Sequence, residues 1–164
     1  MVKAIDCVDK RVRFKKDAVN PYDDMEYMTM SDGSKYAMDP FLSLLGSFIS
    51  DGFVDQGSKH RRIAISMTKE RKRVFLSNTL DRMGIHYNLC PDRVLIGNTY
   101  ASLVDYFEKL SVGAKNKILP SFVWSLSQRQ SMILMEALVQ GDGSVDTRGC
   151  KMYFTSSTKL AEDV

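Results

Sequence analysis

Two aspartates, Asp51 and Asp142, occupy the same place in two similar stretches of this 164-residue chain. Each follows a run of apolar and small residues, and both stretches continue as Asp-Gly-x-Val-Asp. The apolar run predicts a helix, and a carboxylate at a helix end is electrostatically unfavourable because the last carbonyls carry partial negative charge. Asp-Gly is also a common turn dipeptide, which would explain a single copy. Carboxylate and carbonyl oxygens suit Mg²⁺, so the repeated pattern predicts a metal site at two helix ends.

A second pair of similar segments indicates that the similarity is an internal repeat. Ser66-Met67-Thr68-Lys69 follows the first acid, and Ser156-Ser157-Thr158-Lys159 follows the second at almost the same spacing. Such self-similarity predicts two copies of one supersecondary unit. The small residues before each acid would let the two helices approach closely. The acids would then be neighbours, and two metals held there would stabilise the attacking and leaving oxygens of a scissile phosphate.

Capping signals predict where the helices that carry the acids begin. Asp39-Pro40 is a typical helix start, and Ser127 with Gln130 has the form of a capping box. A further helix is predicted from a Thr68 cap to Met83, closed by Gly84. The predicted order is helix, two strands, helix, two strands, helix, after which the same order begins again and stops at Val164.

This order and the two motifs resemble the LAGLIDADG homing endonucleases over about residues 40 to 164. The segment Lys117-Ile118-Leu119-Pro120 resembles the Lys-x-x-Pro block of the intein-encoded, DOD-type members. The resemblance implies an α+β fold of αββαββα repeats, with one complete copy and the start of a second, whose strands form a saddle on DNA. The implied divisions are the first repeat (39–110), a linker (111–126) and a truncated second repeat (127–164). The charged N-terminal segment (1–38) lies outside the resemblance and is unassigned, with a DNA contact and a remnant of a splicing domain as the two alternatives.

The resemblance also implies roles for individual residues. Asp51 and Asp142 would bind the metals and be catalytic, and Lys117 would be the catalytic lysine. Ser50 and Gly141 would contribute backbone carbonyls to the metals, and the cofactor would be Mg²⁺ or Mn²⁺. A second catalytic lysine would belong to the part of the repeat that follows Val164.

Polar and cationic side chains that alternate along predicted strands are candidates for contacts in the major groove. A basic run near the N-terminus is a further candidate for phosphate contacts. A solvated sheet face and an exposed edge strand are the structural alternatives. The candidates are His60, Arg62, Ser66, Lys151, Tyr153, Thr155, Arg11, Arg13 and Lys15.

Three functions are compatible with the sequence. The first is a site-specific, metal-dependent double-strand DNA endonuclease of the intein type, as a fragment or one piece of a split gene. The second is a DNA- or RNA-binding relative without cleavage, such as a maturase or a transcription regulator, although binding alone does not need the two acids. The third is a decayed remnant. Double-stranded DNA is the expected partner, together with a second polypeptide or a second copy that completes the repeat.

Composition sets broader limits. The net charge is +3 and hydrophobic residues make up 44% of the chain, as in an ordinary globular protein. No apolar run is long enough to span a bilayer, and the N-terminus does not resemble a signal peptide. We therefore expect no membrane partner and a location in a bacterial or phage-infected cytoplasm or a nucleus, not secretion. The ends lack the nucleophile and the His-Asn pair of a splicing domain, so we expect no splicing by this chain alone.

Overall fold

The computed structural model describes residues 2–3, 22–57 and 60–164. Arg11, Arg13 and Lys15, which the sequence predicts to contact DNA, lie outside these residues. The helices are α1 (Met38–Asp51), α2 (Glu70–Met83), α3 (Ala101–Glu108), α4 (Gln128–Asp142) and α5 (Thr158–Asp163). The strands are β1 (Val2–Lys3), β2 (Tyr27–Thr29), β3 (Lys35–Ala37), β4 (Gly52–Asp55), β5 (Arg62–Ser66), β6 (Tyr87–Leu89), β7 (Arg93–Ile96), β8 (Gly143–Val145) and β9 (Lys151–Thr155).

The described strands pair only antiparallel. The larger sheet has the order β4-β5-β7-β6, and its register places Ile63 opposite both Val54 and Ile96. A three-stranded sheet has the order β1-β9-β8, and β2 and β3 form a separate hairpin. Helices and antiparallel strands are thus mixed along the chain, and the predicted α+β class is confirmed.

Helix α1 lies at the centre of the fold. Every residue from Pro40 to Ser50 is buried, as expected for a helix that is surrounded by other elements rather than lying on the surface. It packs against both α2 and α4. Its aromatic side chains also meet α3, where the ring centroids of Phe48 and Phe107 are 4.6 Å apart. The aspartate at its end is therefore held by one of the most enclosed elements of the molecule.

The capping predictions are confirmed at some helix ends and wrong at others. The Ser127 hydroxyl accepts a hydrogen bond from the Gln130 backbone N–H, and Gly84 ends α2 in the left-handed region at φ 67°. In contrast, α1 begins before Asp39, because the Asp39 carboxylate is engaged by Arg129 from α4 instead of capping its own helix. Thr68 does not cap α2, which begins two residues later.

The two Asp-Gly stretches lie in units with the same order of elements. The first unit is α1-β4-β5-α2, and the second is α4-β8-β9-α5. In each unit a helix ends on the aspartate, the following glycine begins a strand, and a hairpin leads to the next helix. Among the described residues, no helix is long and apolar enough to cross a membrane.

Candidate functional site

Helices α1 and α4 contact each other through equivalent residues of the two stretches. Counting from Asp51 to Asp142 gives an offset of 91 residues, which relates Gly46 to Ala137 and Ser50 to Gly141. A Cβ on Gly46 would lie 2.5 Å from the Ala137 Cβ, and one on Gly141 would lie 2.3 Å from the Ser50 Oγ. Because each residue faces its own equivalent, the helices are related by a local two-fold arrangement, which brings their ends together.

A steric restriction explains why a glycine follows each aspartate. A Cβ on Gly52 would lie 2.7 Å from the Cα of Phe48, and one on Gly143 would lie 2.5 Å from the Cα of Val139. In each case the obstructing residue lies four positions earlier, on the last turn of the helix. Each glycine N–H also donates to the carbonyl of that residue. The Asp-Gly pattern thus allows the chain to pass directly from helix to strand at the site.

The two carboxylates share a lysine from α2. The Nζ of Lys72 lies 2.5 Å from Oδ2 of Asp51 and 4.0 Å from Oδ1 of Asp142. The Lys72 side chain is 12% exposed, while the side chains of Asp51 and Asp142 are 21% and 39% exposed. Acids that are far apart in sequence therefore lie around one cation at the junction of three helices.

Lys117 approaches the same place from the segment before α4. Its Nζ donates a hydrogen bond of 2.7 Å to the backbone carbonyl of Ser50, the residue before Asp51. Its own carbonyl accepts a 2.7 Å hydrogen bond from Ser157 Oγ, which fixes the backbone of the segment against the start of α5. The lysine is thus held at both its backbone and its ammonium.

An open pocket of about 410 Å³ lies over these groups. Burial raises the pKa of the Asp142 carboxyl above its ordinary value, and the charge of Asp51 raises it further, while Lys72 and Lys117 act in the opposite direction. Burial lowers the pKa of Lys117, and the charges of Asp142 and Asp51 oppose that shift. The pocket therefore combines partly desolvated carboxylates with a lysine that loses its proton more readily than a free lysine.

The oxygen donors of the site fit a hard divalent cation. Asp142 and Ser50 line the pocket, and Asp51 shares the Lys72 ammonium with Asp142. Mg²⁺ is commonly bound by one or two carboxylates with water completing its shell. Within the described parts of the chain, no group of three or more His, Cys, Asp or Glu residues is arranged to hold a metal. The candidate ligands are instead two carboxylates, Asp51 and Asp142, with the backbone carbonyl of Ser50, and Gly141 lies beside them.

The described candidates for DNA contact lie on or just before strands of two different sheets. Arg62 and Ser66 are exposed on β5, and His60 is exposed just before that strand. The Arg62 side chain is paired with Asp55 across the hairpin, at 3.0 Å. Lys151 is partly exposed on the other sheet, where it pairs with Glu136 at 3.3 Å.

Two candidates on β9 point into the protein, so their predicted exposure is wrong. Tyr153 is 2% exposed and Thr155 is 8% exposed. Their face of β9 packs towards the helices, and Thr155 Oγ1 accepts a hydrogen bond from the Ser157 N–H at the start of α5. Tyr153 instead lines the pocket beside the acids, and burial raises the pKa of its phenol to about 12. The predicted alternation of residues between the two faces of β9 is confirmed, but the sequence did not indicate which face is covered by other elements.

Lys72 is the principal site residue that the sequence did not single out. It belongs to the basic stretch from Lys69 to Arg73 at the start of α2, where a solvated helix face is the ordinary explanation. A helix places one residue in three or four on a given face. Helix spacing could have singled out Lys72, because it lies four residues before Leu76 and eight before Leu80 and so shares their buried face.

Comparison with known proteins found no family model that matches the chain. One curated relative is described as an ATP-dependent Clp protease proteolytic subunit from Chlamydomonas moewusii. The two sequences are 25% identical over 189 aligned positions, which include the whole chain but only 18% of the relative. The chain thus spans less than a fifth of the length of this relative.

This comparison contradicts the assignment to the LAGLIDADG homing endonucleases. The relative is named as a proteolytic subunit, so the prediction of an intein-encoded, site-specific DNA endonuclease is not upheld. The alternative of a non-cleaving DNA- or RNA-binding member gains no support either. Helix packing offers a physical reason why the motif misled: Gly46, Gly52, Gly141 and Gly143 all stand where a Cβ would collide. Such a pattern indicates that two helices pack closely, and it does not identify a substrate.

Proposed function

We propose that the chain carries a hydrolytic centre that uses a divalent cation, Mg²⁺ or Mn²⁺, held between Asp51 and Asp142. The observation that carries the proposal is the convergence of both carboxylates on one position, now taken by the Lys72 ammonium. A group of oxygen donors that already surrounds a cation provides the charge and the ligand type that a hard metal needs. We also infer that the units containing α1 and α4 are copies of one supersecondary unit.

The residues have separate tasks in this proposal. When bound, the cation would act as a Lewis acid and lower the pKa of a bound water. Asp51 and Asp142 would hold it, and the Ser50 carbonyl would be a third oxygen donor. Lys117 lies beside that carbonyl, and its lowered pKa favours exchange of a proton at Nζ with water or a leaving group.

The cationic lining of the pocket bears on the substrate. Lys69, Lys72 and Lys117 line it together with Asp142. Lysines around a metal-binding acid attract a substrate with an anionic group near its scissile bond. The named activity of the curated relative, peptide hydrolysis, belongs to a protein more than five times as long as the matched region. Peptides are therefore included as a second substrate class in the test.

A turnover assay tests the proposal. The purified chain is incubated with a chromogenic phosphate ester or a fluorogenic peptide, with Mg²⁺, with Mn²⁺ or with EDTA. We expect turnover of the anionic ester that requires the metal, with a loss of about 100-fold or more in Lys117→Met. Lys115→Met is the matched control, because Lys115 is an exposed lysine of the same segment. Turnover that is unchanged in EDTA and in Asp51→Asn would refute the centre, and metal-independent peptide cleavage would favour the activity named for the relative.

We propose two kinds of partner for this chain. Double-stranded DNA is a proposed partner on the strength of Arg62 and Ser66, which are exposed on one strand. Its binding is measured by fluorescence anisotropy at several salt concentrations, since phosphate contacts make affinity fall steeply with salt. A second polypeptide or a second copy of the chain is also proposed, and sedimentation at several concentrations measures it.

A further inference from the structure

Lys72 occupies the position that a metal would need. Its Nζ is 2.5 Å from Asp51 Oδ2, and the same ammonium is 4.0 Å from Asp142 Oδ1. A Mg²⁺ ion binds carboxylate oxygens at about 2.0–2.1 Å. An ammonium and a divalent cation in contact with the same carboxylate would repel each other strongly in a partly desolvated site.

The other lysines of the pocket are placed differently. The ammonium of Lys117 donates to the Ser50 carbonyl, and Lys69 is exposed at the rim. Neither has an ion pair with Asp51 or Asp142 among those found in the described residues. Lys72 is thus the lysine that neutralises the two helix ends.

This lysine is not a repeated feature. Aligning Thr68-Lys69 with Thr158-Lys159 places Glu162 at the position of Lys72 in the second unit. Glu162 is exposed, whereas Lys72 is largely enclosed. One unit therefore supplies a single ammonium to the carboxylates of both.

We propose that Lys72 is an internal counter-cation that a divalent metal must displace from Asp51, so that metal binding and the Lys72 ion pair exclude each other. The inference rests on the proposed metal centre. Without metal the lysine keeps the two carboxylates together. With metal its ammonium is released into the pocket, where it is available to an anionic substrate.

Metal affinity tests the exclusion. Mn²⁺ binding is measured by electron paramagnetic resonance for the wild type, Lys72→Met, Lys72→Arg and Lys69→Met. We expect Lys72→Met to bind Mn²⁺ about tenfold more tightly, a coupling of ordinary size between two ligands of one site. Lys72→Arg keeps the charge and should bind no more tightly than wild type, and Lys69→Met should change the affinity less than about twofold, as for a screened charge. Equal or weaker binding by Lys72→Met overturns the inference.

The reactivity of the lysine gives a readout that does not depend on any variant at Lys72. Acetylation of each lysine by a small acylating reagent is followed by mass spectrometry in the wild type and in Asp51→Asn. Lys72 should react slowly in EDTA and several-fold faster with Mg²⁺ or in Asp51→Asn, while Lys69 reacts at a constant rate. Fast, metal-independent acetylation of Lys72 in the wild type contradicts the ion pair.

The two measurements separate the inference from the proposed function. If the wild type binds Mn²⁺ but Lys72→Met binds it no better, the competition is refuted and the metal centre stands. If neither protein binds Mn²⁺, the metal centre is refuted and the exclusion falls with it. Acetylation in Asp51→Asn then still reports whether Lys72 neutralises Asp51.

Discussion

At the scale of single residues, Tyr106 combines a well-packed ring with a hydroxyl that has no hydrogen-bond partner among the described residues. Burial raises the pKa of that hydroxyl to about 12. Its ring nevertheless packs well, with an edge-to-face contact of 5.6 Å to Phe41. The ring therefore stabilises the core while its hydroxyl adds a desolvation cost.

We expect Tyr106→Phe to raise the free energy of unfolding by about 1 kcal/mol, because it keeps the ring and removes the unpaired oxygen. Urea denaturation measures the change. Tyr100→Phe is the matched control, since the Tyr100 hydroxyl accepts a 2.8 Å hydrogen bond from the His86 N–H. That variant should be less stable than wild type. A loss of stability in Tyr106→Phe would mean that the hydroxyl has a partner in solution.

At the scale of elements, the contact between α1 and α4 decides how the acids meet. The helices touch at Gly46 and Ala137, where there is no room for an additional methyl group. Helices that approach this closely need small residues at the crossing point. The position of the crossing in turn sets how far apart Asp51 and Asp142 lie.

Gly46→Ala should therefore destabilise the protein by about 1–3 kcal/mol, since the strain of overpacking exceeds the gain in helix propensity. Ala137→Gly in the same chain removes the atom that lies 2.5 Å from the new Cβ. We expect the double variant to lose less free energy of unfolding than the sum of the losses in the two single variants. A double-mutant cycle by chemical denaturation measures this coupling. Additive effects would contradict the close contact.

An ion pair joins the start of α1 to the start of α4. Arg129 of α4 donates to Asp39 of α1 at 2.6 and 2.9 Å, and it also pairs with Asp24. The hydrogen bond from Arg129 holds the pKa of the Asp39 carboxyl below its ordinary value of 3.8. The folded state thus binds this proton less readily than the unfolded state.

The pH dependence of stability follows from that shift. The contribution of Asp39 is fully present above the ordinary pKa and is lost as the pH falls through the lower pKa of the folded state. We expect Asp39→Asn to melt at a lower temperature than wild type at about pH 7, with the difference shrinking as the pH falls below the ordinary pKa of 3.8. Thermal melts across this range measure it. A difference that persists unchanged in acid would assign the effect to packing instead.

At the scale of the whole molecule, the segment before α1 is attached to the site-bearing helices. The fully buried side chain of Gln130 accepts a hydrogen bond from the Met25 N–H and donates one to the Met25 carbonyl. The carboxylate of Asp24 accepts a hydrogen bond from Ser127 at the start of α4. Residues more than one hundred positions apart are thereby linked.

We expect Gln130→Ala to lower the free energy of unfolding by about 2 kcal/mol, because it leaves both backbone groups of Met25 without partners. Hydrogen exchange at the Met25 amide should accelerate in this variant. Gln128→Ala, an exposed position two residues earlier on the same helix, is the control. Unchanged exchange would show that the segment is held by other contacts.

Local patterns were sufficient for much of the architecture. The α+β class, the glycine that ends α2 and the serine cap of α4 follow from neighbouring residues, and the structure confirms them. Local patterns failed where a distant group competes for a side chain. Asp39 does not cap α1 because Arg129, ninety positions away, binds its carboxylate.

The sequence by itself determined that two aspartates end two similar helices, because helix periodicity and small-residue spacing are local properties. Only the tertiary structure decided which side chains surround those acids. The packing of α2 on α1 turned Lys72, and not Lys69, towards both carboxylates, and the packing around β9 buried Tyr153 and Thr155. Such choices depend on which face of an element is covered by another, and that is set by contacts between residues far apart in the chain.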